Sequence, residues 1–597
     1  MLKTLTEHPQ ARAVGPWLAL LLLNAIFVAP AVALDVPEHP SRLLMLSGEL
    51  FVLVGVGVWA QGWRPGPLRR TIRFGLVFAG TLLWLYHWDE LLTRAIIKQA
   101  PPLYDQAFLL RHFGVLIFDL WNWKVGLGVM GGLLALVAVV KLARALCRAS
   151  VAGIHALSRR RRAIAGGVVL AVLVAGTAYE RSKVQPNQPA SKATLVRWSS
   201  PPLARNVAAS WRMYRALQRG IRDSPYAGYA QSIPLRRKPD VHLLLVESYG
   251  RLLIIDPEAG PAWREQVTGL EQRLRAKGWD MVSAFSRAPI SGGRSWLAEG
   301  TLLTGIYVRF EAIFQHLVAD ISQTPNLVSY LDSQGYETIV LAPKVRPRPG
   351  IELINRYDYD QQIGAIELDY DGPRYGWGII PDQYSLGHTQ ENVLSKVEGP
   401  LFFNFHMVSS HAPWQVIPQI QDDWRSIETG EAPEGHEEQP RLATPGEEML
   451  SRMRRYQRKQ PQYMWMGYAD ALKIDAYAAA VSYDLELLTR FLEGMERDAL
   501  VIIMGDHQPP ILSREDSSFD VPMHILARDP ALLEEFREQG FVDGLALNSG
   551  RPTLLAHEGL FSMMARAFAR CCSDGAELPP YMPNGAPGID DRGRRGG

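Results

Sequence analysis

Four short stretches of this chain bring together side chains that can do chemistry. Glu247 follows the apolar run Val241–Val246, and Asp506 with His507 follows the apolar run Leu500–Met504. Carboxylate oxygens and an imidazole nitrogen are donors that a divalent metal ion such as zinc, manganese or magnesium accepts. One acid after an apolar run is more often a solvated loop; two such ends point to a shared site. A third stretch, Ser291-Gly292-Gly293-Arg294-Ser295-Trp296-Leu297-Ala298-Glu299, sets a hydroxyl behind two glycines. Glycines let the backbone approach a phosphate or a metal, and a helix opening at Ser295 would aim its amides at an anion. A metal could then activate the Ser295 hydroxyl without a histidine base. The plainer alternative is a glycine turn with Ser295 as a helix cap. The fourth stretch, His406-Met407-Val408-Ser409-Ser410-His411-Ala412-Pro413-Trp414, places His411 on a loop behind another apolar run, as a ligand or a substrate contact. Lys344, Arg346 and Arg348 follow Thr338–Ala342 and are either anion-binding or simply solvated.

These side chains can act together only if one frame sets them on a common rim. The runs Val241–Val246, Thr338–Ala342, Leu401–Phe405 and Leu500–Met504 are short and apolar, as strands buried on both faces must be. Helix-length segments, including Asn326–Gln334 and Asp470–Met495, fall between them. The alternation predicts an α/β domain with a central, mostly parallel sheet over residues 240–575. Ligands of such sheets lie beyond the carboxyl ends of the strands, where the candidate residues fall. Residues 421–460, acidic first and basic later, read as a solvated insertion or flap, and 576–597 as a flexible tail.

The first 180 residues are a different material. A mean hydropathy of -0.05 averages over five apolar runs at Trp17–Leu34, Leu43–Trp63, Ile72–Leu91, Val125–Leu142 and Ala163–Tyr179. Each approaches the roughly 20 residues needed to span a hydrocarbon core, which predicts a multi-pass α-helical membrane domain. Arg64, Arg69, Arg70, Arg73 and the run Arg159–Arg162 lie in two of the loops, and acids dominate the others. The positive-inside rule then puts the N-terminus in the cytoplasm and everything after Tyr179 outside. Glu49 lies within an apolar run, either as a functional intramembrane carboxylate or at the outer interface. Residues 181–239 form a linker and a surface helix, with Trp211, Tyr214 and Leu217 at helical spacing. A net charge of +2 gives no general basic surface, which argues against a nucleic-acid partner. Three cysteines make no disulfide framework, and adjacent Cys571 and Cys572 are expected as free thiols because vicinal geometry is poor.

The order of motifs resembles the lipoteichoic acid synthase family, which includes phosphoglycerol transferases, within the alkaline phosphatase–sulfatase superfamily. The order comprises Glu247-Ser248 at a strand end, Gly292-Gly293-Arg294-Ser295, Ser410-His411-Ala412-Pro413, and Gly505-Asp506-His507. The resemblance covers residues 240–530 in motifs and the whole chain in its five-helix architecture. It implies that Glu247, Ser295, Asp506 and His507 hold a divalent metal ion (Mn, Mg or Zn), with Ser295 also the nucleophile. It further implies that His411 and Arg356, in Ile354-Asn355-Arg356, contact the substrate phosphate, and Glu299 follows Ser295 at the family spacing. The family nucleophile is usually threonine; here it is serine. A family substrate histidine is replaced by the neighbourhood of Lys344 and Arg346.

The implied reaction moves a phospholipid head group of the phosphoglycerol type through a phospho-serine to a glycan or lipid acceptor in cell-envelope biogenesis. Its setting would be a bacterial inner membrane, with the catalytic domain on the periplasmic side. The rivals are a phosphoethanolamine transferase, a sulfatase or phosphodiesterase hydrolase, and a degenerate membrane-bound binding module. Residues Ser295–Glu299 lack the Cys/Ser-x-Pro-x-Arg pattern that sulfatases modify, and the few cysteines count against a phosphoethanolamine transferase.

Overall fold

The computed structural model describes residues 9–35, 45–97, 101–108, 123–183, 195–218, 224–257, 259–345, 357–373, 380–412, 414, 417–429, 467–510 and 518–586. Arg346, Arg348 and Arg356, and most of the expected insertion at 421–460, lie outside these residues. Helices of seven residues or more are numbered in chain order.

Each of the five apolar runs contributes a helix: α1 (Pro9–Asp35), α2 (Gly48–Gln61), α3 (Pro67–Ile97), α4 (Trp123–Ala156) and α5 (Arg159–Lys183). Among the described residues, two stretches are long and apolar enough to cross a membrane, Gly126–Ala156 and Arg159–Tyr179. This is fewer than the five expected from the sequence. The 14 residues of α2 rise only about 21 Å, short of a hydrocarbon core. The far end of α3 turns polar through His87, Asp89 and Glu90. Glu49 is buried in the first turn of α2, and its Oε1 accepts from Ser200 N (2.7 Å) and Ser200 Oγ (2.9 Å). Ser200 opens α6 (Ser200–Leu217), so this carboxylate caps a helix of the following segment, a structural duty. The pairing of β1 (Leu46–Ser47) with β2 (Val196–Arg197) makes the same junction. On α6 it is Met213 and Leu217 that are buried; Trp211 and Tyr214 face outward.

The part of the chain from Asp240 onward is built on a nine-stranded sheet with the path β10-β4-β9-β8-β3-β7-β5-β6, β11 pairing with β4. In chain order the strands are β3 (Asp240–Val246), β4 (Asp280–Arg287), β5 (Glu337–Leu341), β6 (Gln361–Ile363), β7 (Leu401–His406), β8 (Ala499–Gly505), β9 (Asp520–Ala527), β10 (Val542–Asp543) and β11 (Thr553–Ala556). The five from β8 to β6 run parallel, as expected, but β9 is antiparallel to both neighbours and β10 to β4, so the sheet is mixed.

Every residue of β3 is buried, which explains its run of Val and Leu. Alternate residues serve opposite layers. Val241, Leu243 and Leu245 pack with α8 (Ser295–Thr304), α9 (Glu311–Ala319), α10 (Leu327–Ser333) and α13 (Leu560–Cys571). Leu244 and Val246 pack with α7 (Ala259–Ala276), α11 (Asp382–Asn392) and α12 (Gly467–Glu493).

Two expectations about the C-terminal end are corrected. Cys571 and Cys572 form a vicinal disulfide rather than two free thiols. They close α13, where the Cys572 carbonyl takes the amides of Arg236 and Arg237. The tail is not loose from 576 onward. Met582 packs on the core, Ala556 N donates to Pro583 O and Ala586 N to Gly305 O, so this segment belongs to the domain up to Ala586.

His242 interrupts the apolar pattern of β3. It lies between the rings of Phe403 and Phe491, and neither ring nitrogen has a hydrogen-bond partner among the described residues. Burial, with Arg497 adding repulsion, pushes its pKa down to about 3. A depressed histidine favours folding while neutral, so its contribution is present above about pH 6.5. It is lost as pH falls toward 3, at up to about 1.4 kcal/mol per pH unit. His242→Leu is therefore expected to shrink the drop in apparent melting temperature between pH 7.5 and pH 5, measured on the full chain in detergent. An unchanged drop would refute this role for His242.

Candidate active site

The carboxyl ends of β3, β8, β7 and β5 meet on one rim. Glu247 follows β3, and Asp506 and His507 follow β8. The close approach of these two strands depends on Gly505, where a Cβ would lie 1.9 Å from Tyr249 O. Asp506 Oδ1 accepts from Ser248 N and from His507 N, both at 2.7 Å, which leaves Oδ2 turned to the site. His507 Nδ1 donates to Gln508 O (2.8 Å), so Nε2 presents its lone pair, 3.3 Å from Glu247 Oε1 and 3.4 Å from Asp506 Oδ2. All three residues are buried, and their ligand atoms lie within 4.8 Å of one another.

The turn before Ser295 is bolted to this frame. Gly292 N donates to Gln508 O (3.1 Å) and Gly293 N to His507 Nε2 (3.1 Å). Gly292, Gly293 and Arg294 all have positive φ, an uncommon and strained state for arginine. The turn delivers Ser295 to the first position of α8, with its Oγ 3.0 Å from Glu247 Oε2 and 3.3 Å from His507 Nε2. The open amides of that helix start face the same space, which favours a bound anion. The four residues expected to hold a metal thus come together. Two carboxylates, an oriented imidazole and an adjacent hydroxyl suit a divalent ion with one position left for substrate.

The electrostatics agree with such a site. Burial opposes the charge of Glu247, yet Lys344, His507 and His411 hold its pKa well below the carboxylate range. Burial and the neighbouring Glu247 push that of Asp506 up. Burial works against a charged His507, but Asp506 and Glu247 outweigh it and raise its pKa to about 9. Two buried carboxylates side by side repel unless a cation lies between them, the role a divalent metal would fill.

The β7 loop is fixed by residues that the sequence did not flag. Asp382 takes Val408 N (2.9 Å) and Ser409 N (2.7 Å), Ser410 Oγ donates to Glu247 O (2.6 Å), and Trp414 Nε1 to Ser410 O (2.7 Å). Beneath Asp382 lies Asp484, fully buried, its pKa held far above normal by burial and by Asp382. His411 is thereby placed beside Glu247, near enough to stabilise its charge. Tyr477 of α12 bridges the loop after β3, donating to Ser248 O (2.7 Å) and accepting from Gly250 N (2.9 Å). Glu299 lies one turn below Ser295, where its Oε1 meets His406 Nε2 at 3.0 Å and ties α8 to the end of β7. Nothing in the spacing of Asp382, Tyr477 or Asp484 marks them beforehand.

Lys344, after β5, reaches into the site with its Nζ 3.6 Å from Glu247 Oε2. A lysine there can hold a substrate phosphate while keeping Glu247 ionised. Lys344→Ala is expected to lower kcat/KM by about 10- to 100-fold, the worth of one charge-assisted contact, with arginine restoring part of it. Wild-type kcat/KM in the alanine variant would place the lysine among solvated residues.

Residues 271–540 match the sulfatase family model. No curated protein sequence matches the chain. Among solved structures, the phosphoglycerol transferase GacH of Streptococcus pyogenes is 13% identical, with a TM-score of 0.34 over 60% of this chain and 82% of that one. The lipoteichoic acid synthase LtaP of Listeria monocytogenes is 14% identical, with a TM-score of 0.31 over 58% and 78%. The lipooligosaccharide phosphoethanolamine transferase A of Neisseria meningitidis is 12% identical, with a TM-score of 0.47 over 94% and 98%. The class defined here is a sulfatase-like domain with a buried acid–histidine triad beside a serine. The match to the sulfatase model over residues 271–540 supports the alkaline phosphatase–sulfatase resemblance read from the motifs.

Proposed function

We propose that this chain is a membrane-anchored, metal-dependent phosphotransferase that moves a phosphoglycerol-type head group from a membrane phospholipid to a glycan or lipid acceptor. The observation that carries this reading is Ser295 Oγ, 3.0 Å from Glu247 at the mouth of the Glu247–Asp506–His507 triad. The apolar helices joined to the same domain support a lipid donor, since they would keep the site at a bilayer. In this reading the five apolar helices are embedded in a bacterial inner membrane, the N-terminus is cytoplasmic and the catalytic domain periplasmic.

Glu247, Asp506, His507 and Ser295 would hold the divalent ion, which when bound lowers the pKa of the serine hydroxyl and offsets negative charge on the phosphoryl group. The Ser295 hydroxyl first gives its proton to solvent; its Oγ then attacks phosphorus, the bond to the diacylglycerol oxygen breaks, and a phospho-serine forms. His411 gives a proton to the departing oxygen, and Lys344 holds a phosphoryl oxygen through the attack. An acceptor hydroxyl, its proton taken by the His411 left neutral in the first step, then attacks phosphorus; the bond to Ser295 Oγ breaks, and the head group is carried away as a phosphodiester of the acceptor. Arg356 is proposed as a further phosphate contact on the strength of the motif resemblance, and Arg346 on its charge close behind Lys344.

Head-group transfer in proteoliposomes carrying either phosphatidylglycerol or phosphatidylethanolamine tests the donor. Turnover with phosphatidylglycerol, and release of diacylglycerol, is the expected result. Exclusive use of phosphatidylethanolamine would replace the donor assignment, and release of free glycerol phosphate without acceptor would identify a hydrolase.

A further inference from the structure

Between α3 and α4, residues 103–108 form a short helix that packs against the domain carrying the site. Leu103 N donates to Asn206 Oδ1 (2.6 Å), Asn206 Nδ2 to Pro101 O (3.0 Å) and Tyr104 N to Ser210 Oγ (3.2 Å), which seats it on α6. Gln106 Nε2 reaches back to Asp89 Oδ2 on α3 at 2.8 Å. Tyr104 and Phe108 pack, with Trp296, against the core that contains α8. Asp105 is completely buried by this docking.

The start of α9 has no side-chain cap of its own, because its N-cap residue is Phe310. Ala312 N donates instead to Asp105 Oδ1 at 2.8 Å, across 207 residues of sequence. The other oxygen, Oδ2, is buried and makes no hydrogen bond among the described residues. Nor do the Nε, Nη1 and Nη2 atoms of Arg294, which are equally buried. Glu311, also fully buried, accepts from Trp296 Nε1 (2.8 Å) and Gln315 Nε2 (2.7 Å). Asp105 thus fixes the start of α9 through Ala312 N, and Glu311 at that start is bonded to Trp296, the residue after Ser295; the buried Arg294, at φ +66° immediately before Ser295, is attracted by both carboxylates. In a low-dielectric interior such attraction acts beyond hydrogen-bond range, and without it the buried cation would be driven toward water.

We propose that Asp105 is a positioning residue for Ser295, acting through Arg294 and the start of α9, so that the membrane-proximal part of the chain completes the catalytic site. The carboxylate does not touch substrate. It holds the strained turn whose shape sets the Ser295 Oγ beside Glu247 and His507. This inference rests on the reading of Ser295 as nucleophile.

The experiment uses the full chain in proteoliposomes with labelled phosphatidylglycerol, and compares Asp105→Asn, Asp105→Glu, Arg294→Gln and the Asp105→Asn/Arg294→Gln pair. Asp105→Asn is expected to lower kcat by about 10- to 100-fold, the penalty of a slightly misplaced nucleophile, with KM and bound metal unchanged. Asp105→Glu, which keeps the charge, should recover part of the loss, and it carries the test should the asparagine variant not fold. The double variant should be no slower than the slower single one, because both act on one device. Wild-type kcat in Asp105→Asn, loss in strict proportion to lost metal, or independent multiplying losses in the pair would each overturn the proposal. Ser295→Ala in the same vesicles separates the two readings. If it is active, the nucleophile reading has failed; if it is silent while Asp105→Asn is normal, only the positioning role has.

Discussion

Ser295→Ala is expected to abolish head-group transfer, by on the order of 10⁴-fold or more, because it removes the atom that forms the covalent intermediate. The fold should survive, since Glu247, Asp506 and His507 keep their mutual geometry without the hydroxyl, and metal should still bind through those three, more weakly for the loss of the Ser295 oxygen. Ser295→Thr should retain measurable turnover, because it supplies the same Oγ at the same backbone position. Turnover and metal content measured together decide the matter. Full activity in the alanine variant would remove Ser295 from the reaction.

Asp506→Asn carries the second large effect, and it splits activity from stability. The asparagine can still accept the amides of Ser248 and His507 through one oxygen, so the local fold should hold. What it loses is the charge facing the site, and turnover should fall by at least about 10²-fold together with metal affinity, more than is typical for a supporting residue. Burial, and then repulsion from Glu247, already raises the pKa of Asp506. An acid raised in the folded state opposes folding once ionised, so its removal should stabilise the chelated protein at neutral pH. The expected outcome after chelation is a higher melting temperature for Asp506→Asn than for wild type. Adding manganese, magnesium or zinc back should rescue only the wild type, and the ion that restores most turnover identifies the native one. Equal loss of stability in both proteins would contradict a repelling pair.

The parts of the site that were legible in the sequence share a physical reason. Glu247 and Asp506 stand directly behind strands buried on both faces, His411 lies on the loop after another, and such strands announce themselves as unbroken apolar runs. Where that signal failed, competing chemistry hid the strand. β9 contains Pro522, which argues against a central strand. It is tolerated because the ladder with β8 ends at Met504–Met523, one residue short of the proline. β4 carries Ser283 and Ser286, whose hydroxyls meet His524 and His557, so a buried strand looks half polar. Asp105, Arg294, Asp382 and Asp484 acquire meaning only through contacts between distant segments, such as the 207-residue link from Asp105 to Ala312. Helical spacing found α6 through Trp211, Tyr214 and Leu217, yet of these only Leu217 is buried. Apolar spacing shows that a helix exists before it shows which face is covered.

The central claim is a phospho-serine at position 295, and mass spectrometry tests it most directly. The purified full chain, incubated with phosphatidylglycerol and a divalent ion without acceptor, should yield a Ser295 peptide heavier by one phosphoglycerol group. The adduct should vanish when acceptor is added and be absent from Ser295→Ala. An unmodified Ser295 peptide alongside continuing release of diacylglycerol would contradict the account.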